Sequence, residues 1–334
     1  MKLILYFVIY LITIGLIVKP VKKKYSYIFF LWVVILLSLC YTIQSTVGDP
    51  DSDLEKYVGI FESNLFLWNP NFLREFLFWG FARLIYYIFE DRNITFLIIN
   101  LFFSFMILKG FKNYKSSSNN LYLLFGFLLF FPFLSGMHVI YRQLISMSIV
   151  FFSLSCFYNK RNSLGVFTFI ISFLFHNISL IFLPLILFSY KKFYKFFIMS
   201  IAMLIMPILF SSFESSKNEF LTRSDINYLP TLSIAYLVVF ILLIFIILII
   251  NYHNLIKADH FNNLIIITSL IYIISFFSLN SNLTIERIGM YSMGIIYFYI
   301  GFYLDKFNGK TYVKLIYFHI SLIPLITFYS SYLS

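Results

Sequence analysis

Ten stretches of this 334-residue chain run for 16 to 20 residues with almost no charge: 3–18, 27–43, 94–110, 120–136, 143–158, 195–213, 232–251, 262–280, 287–304 and 315–333. Each is close to the length that a helix needs to cross a bilayer core of roughly 30 Å. No other feature constrains the fold as much. In lipid every backbone N–H and C=O must be bonded within its own structure, which a helix achieves and an open strand does not. Composition agrees, with 61% hydrophobic and only 12% charged residues, about half the charged share of a soluble domain. The expected fold is all-α: a polytopic integral membrane helical bundle of about 10 full spans. It is expected to form a single transmembrane domain over 1–334, because no soluble stretch is long enough to fold alone. The first run lacks a basic n-region and a small-residue cleavage site, so no cleavable signal peptide is expected.

Two segments break this pattern. Residues 72–90 read as an amphipathic helix carrying Arg74, Glu75, Arg83 and Glu90, and 164–189 is a long apolar run interrupted by His176-Asn177 and Pro184. Basic residues then set the sidedness. The loops at 19–26, 109–118, 159–162, 190–195, 252–261 and 305–314 hold 16 of the 25 lysines and arginines but only two of the 14 acids, Asp259 and Asp305. An excess of Lys and Arg marks the cytoplasmic side, so the chain is expected to be multi-pass with both termini outside. Parity has a consequence. Were 72–90 to cross, the lysines at 109–115 would emerge outside, so 72–90 is expected to lie in the outer interface or re-enter from it. By the same count 164–189 is a re-entrant-type helical hairpin turning near His176-Asn177. The outer loop regions are then 44–93 and 214–231, with Asn93 as the N-cap of the helix after it.

The net charge of +11 does not point to nucleic acid, because the lysines sit in short loops and form no basic face on a soluble module. Cys40 and Cys156 lie inside apolar runs and offer neither disulfide nor metal spacing. The five histidines show no ligand pattern, so neither a metal nor a cofactor is expected. There is no phosphate-cradling glycine loop and no nucleophile elbow.

Four constellations are left that could carry chemistry. Asp49 to Tyr57 reads equally well as a capped helix start or as a polar patch in which Asp53 and Tyr57, one turn apart, face a sugar or cation. A calcium loop is ruled out by Leu54 and Ile60 at the glycine and glutamate positions. His138, Arg142 and Gln143 open a membrane helix, followed by Ser146 and Ser148. An ionisable group there is costly and points to function, although an arginine snorkelling to the interface is the plain alternative. His176 breaks an apolar run, either as a packing residue or as a cavity-facing base. Glu286-Arg287 with Tyr291 stands at the outer start of 287–304, and Arg83 with Tyr87 repeats the arginine–tyrosine turn. Three outer arginines, Arg83, Arg142 and Arg287, would suit phosphate if they converge.

At these residues the chain resembles the EpsG family of bacterial polysaccharide proteins, a group similar to Wzy-type O-antigen and capsule polymerases. The resemblance is carried by Asp53 to Tyr57, by Tyr141-Arg142-Gln143-Leu144, by Phe175-His176-Asn177-Ile178-Ser179 ahead of Pro184, and by Glu286-Arg287 to Tyr291. It spans roughly residues 40 to 300. Asn177 departs from the small residue or proline expected after the histidine. The resemblance implies a membrane glycosyltransferase that joins oligosaccharide units carried on undecaprenyl pyrophosphate at the outer face of the membrane. On that reading His176 or Asp53 is the base. Arg142, Arg287 and Arg83 bind pyrophosphate, and Gln143, His138, Tyr57 and Tyr291 complete the pyrophosphate and sugar contacts. Membrane lipid, a chain-length regulator and other assembly proteins are the implied partners. A transporter or flippase of a polar or lipid-linked solute, or a non-catalytic subunit of a polysaccharide assembly machine, is the competing reading.

Overall fold

The computed structural model describes residues 2–19, 23–45, 57–60, 75–114, 121–129, 141–189, 231–251, 260–279, 282–306 and 310–323. Asp53, His138, the run 195–213 and nearly all of 214–231 lie outside them. Among the described residues the chain is helical, with no strand. The helices are α1 (Lys2–Val18), α2 (Lys23–Ser45), α3 (Phe76–Phe89), α4 (Arg92–Asn113), α5 (Leu121–Leu128), α6 (Tyr141–Tyr158), α7 (Asn162–Phe175), a 3₁₀ segment (Asn177–Phe182), α8 (Leu183–Ser189), α9 (Thr231–Asn251), α10 (His260–Ser278), α11 (Asn282–Lys306) and α12 (Thr311–Ser321). By length and composition α4 can cross a membrane.

Local chemistry sets the boundaries. α4 begins two residues earlier than expected, because its N-cap is Asp91 and not Asn93. Asp91 is extended, and its carboxylate accepts the N–H of Ile94 at 2.9 Å, bonding one of the donors that a helix start leaves unpaired. Asn93 falls in the first turn instead. The α6–α7 connection is a tight C-terminal turn. Lys160 takes a left-handed φ of 60°, and the N–H groups of Lys160 and Arg161 return to the carbonyls of Phe157 and Cys156 at 2.9 Å each, the bonding of a Schellman motif.

The chain divides into two compact units, Met1–Ser179 and Leu180–Tyr332. In the first, α4 and α6 run parallel. Phe96 stacks on Tyr141 at 4.8 Å near their starts, and the Asn113 amide donates to Ser155 Oγ at 2.9 Å near their ends. The face that α4 turns to α6 follows the heptad-like series Phe96, Asn100, Phe103, Ile107, Gly110 and Tyr114, as a close helix–helix seam requires. α7 returns antiparallel along the whole of α6, tied by Ser153 Oγ to the Gly165 carbonyl at 2.6 Å and by Ser146 Oγ to the Ser172 carbonyl at 2.8 Å. α2 and α5 complete the unit with α1: Lys112 Nζ sits 4.5 Å over the Tyr27 ring, Phe29 and Phe30 pack on Phe125, and Tyr6 Oη donates to the Leu129 carbonyl.

This packing gives the unit two distinct ends. Tyr27, Lys112, Asn113 and the turn Tyr158–Arg161 gather at one, held by the Asn159 amide on the Asn113 carbonyl at 2.7 Å and by Tyr114 against Tyr158. The starts of α4 and α6 and the C-terminus of α7 form the other. α3 begins beside Arg142 and His176 and ends in the Glu90-Asp91 turn that opens α4, so both of its ends lie at that second end and it does not traverse the unit. α7 is different: it runs the length of α6 and breaks at His176, level with Arg142, so the break falls at the end of the bundle and not midway along it.

The core is largely apolar but takes in polar side chains, and many large apolar ones are exposed. Ser146, Ser153, Ser172, Thr95 and Asn100 are buried, while Phe7, Leu11, Ile28, Trp32, Phe105, Phe167 and Ile170 are exposed. Polar groups between helices and bulky apolar groups outside are what lipid contact favours.

The second unit is built around α11, buried throughout from Ile288 to Leu304. Gly289 lets α9 and α10 close on it: a Cβ there would meet Tyr236 Cδ2 at 2.6 Å and Tyr272 Cε2 at 2.8 Å. Tyr272 cannot easily yield, since its hydroxyl donates to the Ser233 carbonyl at 2.7 Å. Tyr317 of α12 stacks on Tyr297 and donates to its carbonyl, and Lys314 pairs with Asp305 at 3.2 Å.

Candidate functional site: a buried carboxylate between an arginine and a histidine

Arg142 is the second residue of α6, and the order of the helices brings three other elements to it. Its Nε donates to Tyr57 Oη at 3.1 Å. Its Nη1 donates to Glu75 Oε2. The other carboxylate oxygen, Oε1, faces His176 Nε2 at 3.5 Å. Tyr57, Glu75, Arg142 and His176 thus form one cluster within the first unit, at the end away from Lys112 and Arg161.

Each member is fixed locally. The Glu75 carbonyl accepts the N–H groups of Phe78 and Trp79, so the residue that supplies the carboxylate also starts α3. Next to it, the buried face Phe78, Trp79, Ala82 and Ile85 seats the helix. His176 closes α7 through its N–H to the Ser172 carbonyl and is itself extended (φ −159°, ψ 127°). Its carbonyl takes both the N–H and the hydroxyl of Ser179. Its Nδ1 accepts the Ile178 N–H at 3.2 Å, which puts the ring proton of the neutral form on Nε2, facing Glu75. The histidine is therefore a donor held in place by the break that follows it.

Aromatic rings wall the arginine. Its Cζ lies 5.3 Å from the Trp79 ring and 5.6 Å from that of Tyr57, within the range in which a guanidinium is attracted to a π face. Tyr57 in turn packs on Trp79, Phe78 and edge-on to Tyr141. The side chains of Glu75 and His176 are 6% and 7% exposed, whereas that of Arg142 is 29% exposed. Among the described residues nothing hydrogen-bonds Nη2. The cluster accordingly presents one open, charged donor edge from an otherwise buried network, a geometry suited to an oxyanion.

The other sequence candidates are placed as follows. Gln143 is 2% exposed and its Oε1 has no partner among the described residues. Ser146 and Ser148 do not face a ligand: their hydroxyls bond the carbonyls of Ser172 and Ile145, so that polar stripe is helix packing. Arg83 lies eight residues along α3 from Glu75, about 12 Å at helical rise, half-buried, beside a well-exposed Tyr87. Arg287 and Tyr291 belong to the second unit, where Tyr291 is buried and stacks on Phe182 at 5.4 Å. Glu286, just ahead of the 287–304 run, is pushed up to about 7, with burial raising it and Arg287 pulling the other way. Among the described residues no group of His, Cys, Asp and Glu is arranged to hold a metal ion.

Glu75 and Trp79 are the members that the sequence reading missed. Glu75 looked like one of several charges on an amphipathic helix. The available signal was its position directly before Phe76-Leu77-Phe78-Trp79, where a carboxylate enters an apolar environment and needs a partner.

The model of the EpsG family matches residues 27–334 of the chain. No curated protein and no solved structure matches it.

Proposed function

The chain belongs to the EpsG family, a family of membrane proteins of polysaccharide biosynthesis, and on that premise we propose that it is a glycosyltransferase joining lipid-linked oligosaccharide units. The donor is a sugar chain on a polyprenyl pyrophosphate, undecaprenyl pyrophosphate in bacteria. The observation that carries the proposal is Arg142, oriented by Tyr57 and Glu75 and walled by aromatic rings with one donor edge open.

In the proposed reaction an acceptor hydroxyl attacks the donor's anomeric carbon. The bond from that carbon to the pyrophosphate oxygen breaks, the new glycosidic C–O bond forms, and the hydroxyl proton passes to a base. Charge develops on the departing pyrophosphate, where a preorganised cation lowers the barrier most. Arg142 has that role, and Arg287 and Arg83 are the further candidate cations. Of the two candidate bases we assign the role to Asp53, because the Nδ1 of His176 already takes a backbone N–H and its Nε2 faces Glu75. Tyr57, Tyr291, His138 and Gln143 are proposed as sugar or pyrophosphate contacts.

The proposed setting is a polytopic bundle in the cytoplasmic membrane, with the Arg142 end outward. It is supported by the basic residues Lys112, Lys160 and Arg161 at the opposite end of the first unit, where the positive-inside rule would have them. The test is to replace Arg142 by Ala and by Lys, confirm expression in the membrane, and measure polymer length. Loss of long chains in both variants is expected, since an ammonium lacks the forked geometry. Normal length in both would remove Arg142 from the mechanism.

A further inference from the structure

The centre of the cluster is a residue for which neither the sequence motifs nor the family membership supplies a role. We infer that Glu75 is the positioning residue of this site: its carboxylate ties Arg142 and His176 to one point, so that the Nη2 edge of Arg142 is the face turned to the anionic group of the ligand. This rests on the reading of Arg142 as an anion-binding group.

The geometry supports the inference in three ways. First, a guanidinium is planar, and fixing two of its three nitrogens fixes the third. Nε is held by Tyr57 at 3.1 Å and Nη1 by Glu75, which leaves the direction of Nη2 no freedom. Second, Glu75 spends both oxygens. Oε2 is on Arg142, and Oε1 meets the Nε2 proton that the Ile178 contact with Nδ1 enforces. The break after α7 is thereby coupled through one carboxylate to the start of α6. Third, the arrangement is a poor way to gain stability alone, since buried ion pairs often contribute no more than an apolar group of the same shape. Its specific product is orientation, which a binding or catalytic site needs and a packing contact does not.

The side-chain chemistry makes the inference testable. In Glu75→Gln the amide oxygen can still accept from Arg142, but the amide N–H then opposes the Nε2–H of His176, donor against donor. In Glu75→Asp the chain is one methylene shorter and can serve one partner only. The test uses the purified full chain in detergent and farnesyl pyrophosphate as the probe. The Kd is measured for the wild type, Glu75→Gln, Arg142→Lys and the double variant, with Glu75→Asp in place of Gln if the latter does not accumulate.

A residue that acts through Arg142 gives a non-additive cycle. Glu75→Gln is expected to weaken binding on the order of 10-fold in the wild-type background and less than about 3-fold in Arg142→Lys, the difference being one misplaced charge-assisted hydrogen bond. An equal loss in both backgrounds, or none in either, overturns the inference, as does a wild-type chain that does not bind the probe. A cycle of the expected form in a chain that extends no polymer would leave Glu75 in this role and refute only the transferase reading.

Discussion

Removing the charge of Arg142 while keeping its bulk isolates what the cluster contributes to the fold. In Arg142→Met the Glu75 carboxylate, 6% exposed, loses its charged partner and keeps His176 at 3.5 Å. Breaking a buried pair by removing one member costs about 3–5 kcal/mol. The partly exposed arginine and the remaining histidine place this case at the low end, about 3 kcal/mol. Adding Glu75→Gln removes the stranded charge, so the double variant should recover to within about 1 kcal/mol of the wild type. Thermal unfolding of the purified protein in detergent, followed by tryptophan fluorescence, reads this directly, because Trp79 packs against the cluster. A single variant as stable as the wild type, or a double variant no better than the single, would refute the assignment of a buried, charge-paired Glu75.

Three other outcomes are expected. Gly289→Ala should lower stability by about 1–3 kcal/mol through overpacking against Tyr236 and Tyr272, measured by the same unfolding assay, whereas Gly80→Ala, with nothing near its Cβ, should not. A cysteine placed at position 112 should resist a membrane-impermeant thiol reagent in whole cells and react after permeabilisation; ready labelling in intact cells would reverse the proposed sidedness. Glu286 is raised from its ordinary 4.5 to about 7, so as pH rises the unfolded chain ionises first and stability should fall between about pH 4.5 and pH 7 and level off above. Glu286→Gln should flatten that slope in unfolding scans across the range.

Much of the helical framework was legible because the signal is local. An apolar run of the right length states its own boundaries to within a few residues, as α1, α6 and α9 do. Exceptions arose where a cap decided the matter, as at Asp91, two residues before the expected Asn93. The cluster was legible in part. Arg142, Tyr57 and His176 stood out as polar groups in apolar surroundings or in motifs, and the fold brings these three together. Glu75 did not stand out, because its partners are 67 and 101 residues away in sequence and a carboxylate among neighbouring charges looks solvated. Ser146 and Ser148 misled for the opposite reason. A serine in a membrane-type helix has a backbone carbonyl within reach, and without the neighbouring helix in view its hydroxyl cannot be told from a ligand group.

The central claim is that Arg142 serves transfer from a lipid pyrophosphate. The most direct measurement reconstitutes the purified chain in liposomes with a lipid-linked oligosaccharide and resolves the products by length. A ladder of lengthened oligosaccharides, abolished by Arg142→Lys, is the predicted result. Movement of the lipid-linked donor between leaflets with no new glycosidic bond would contradict it.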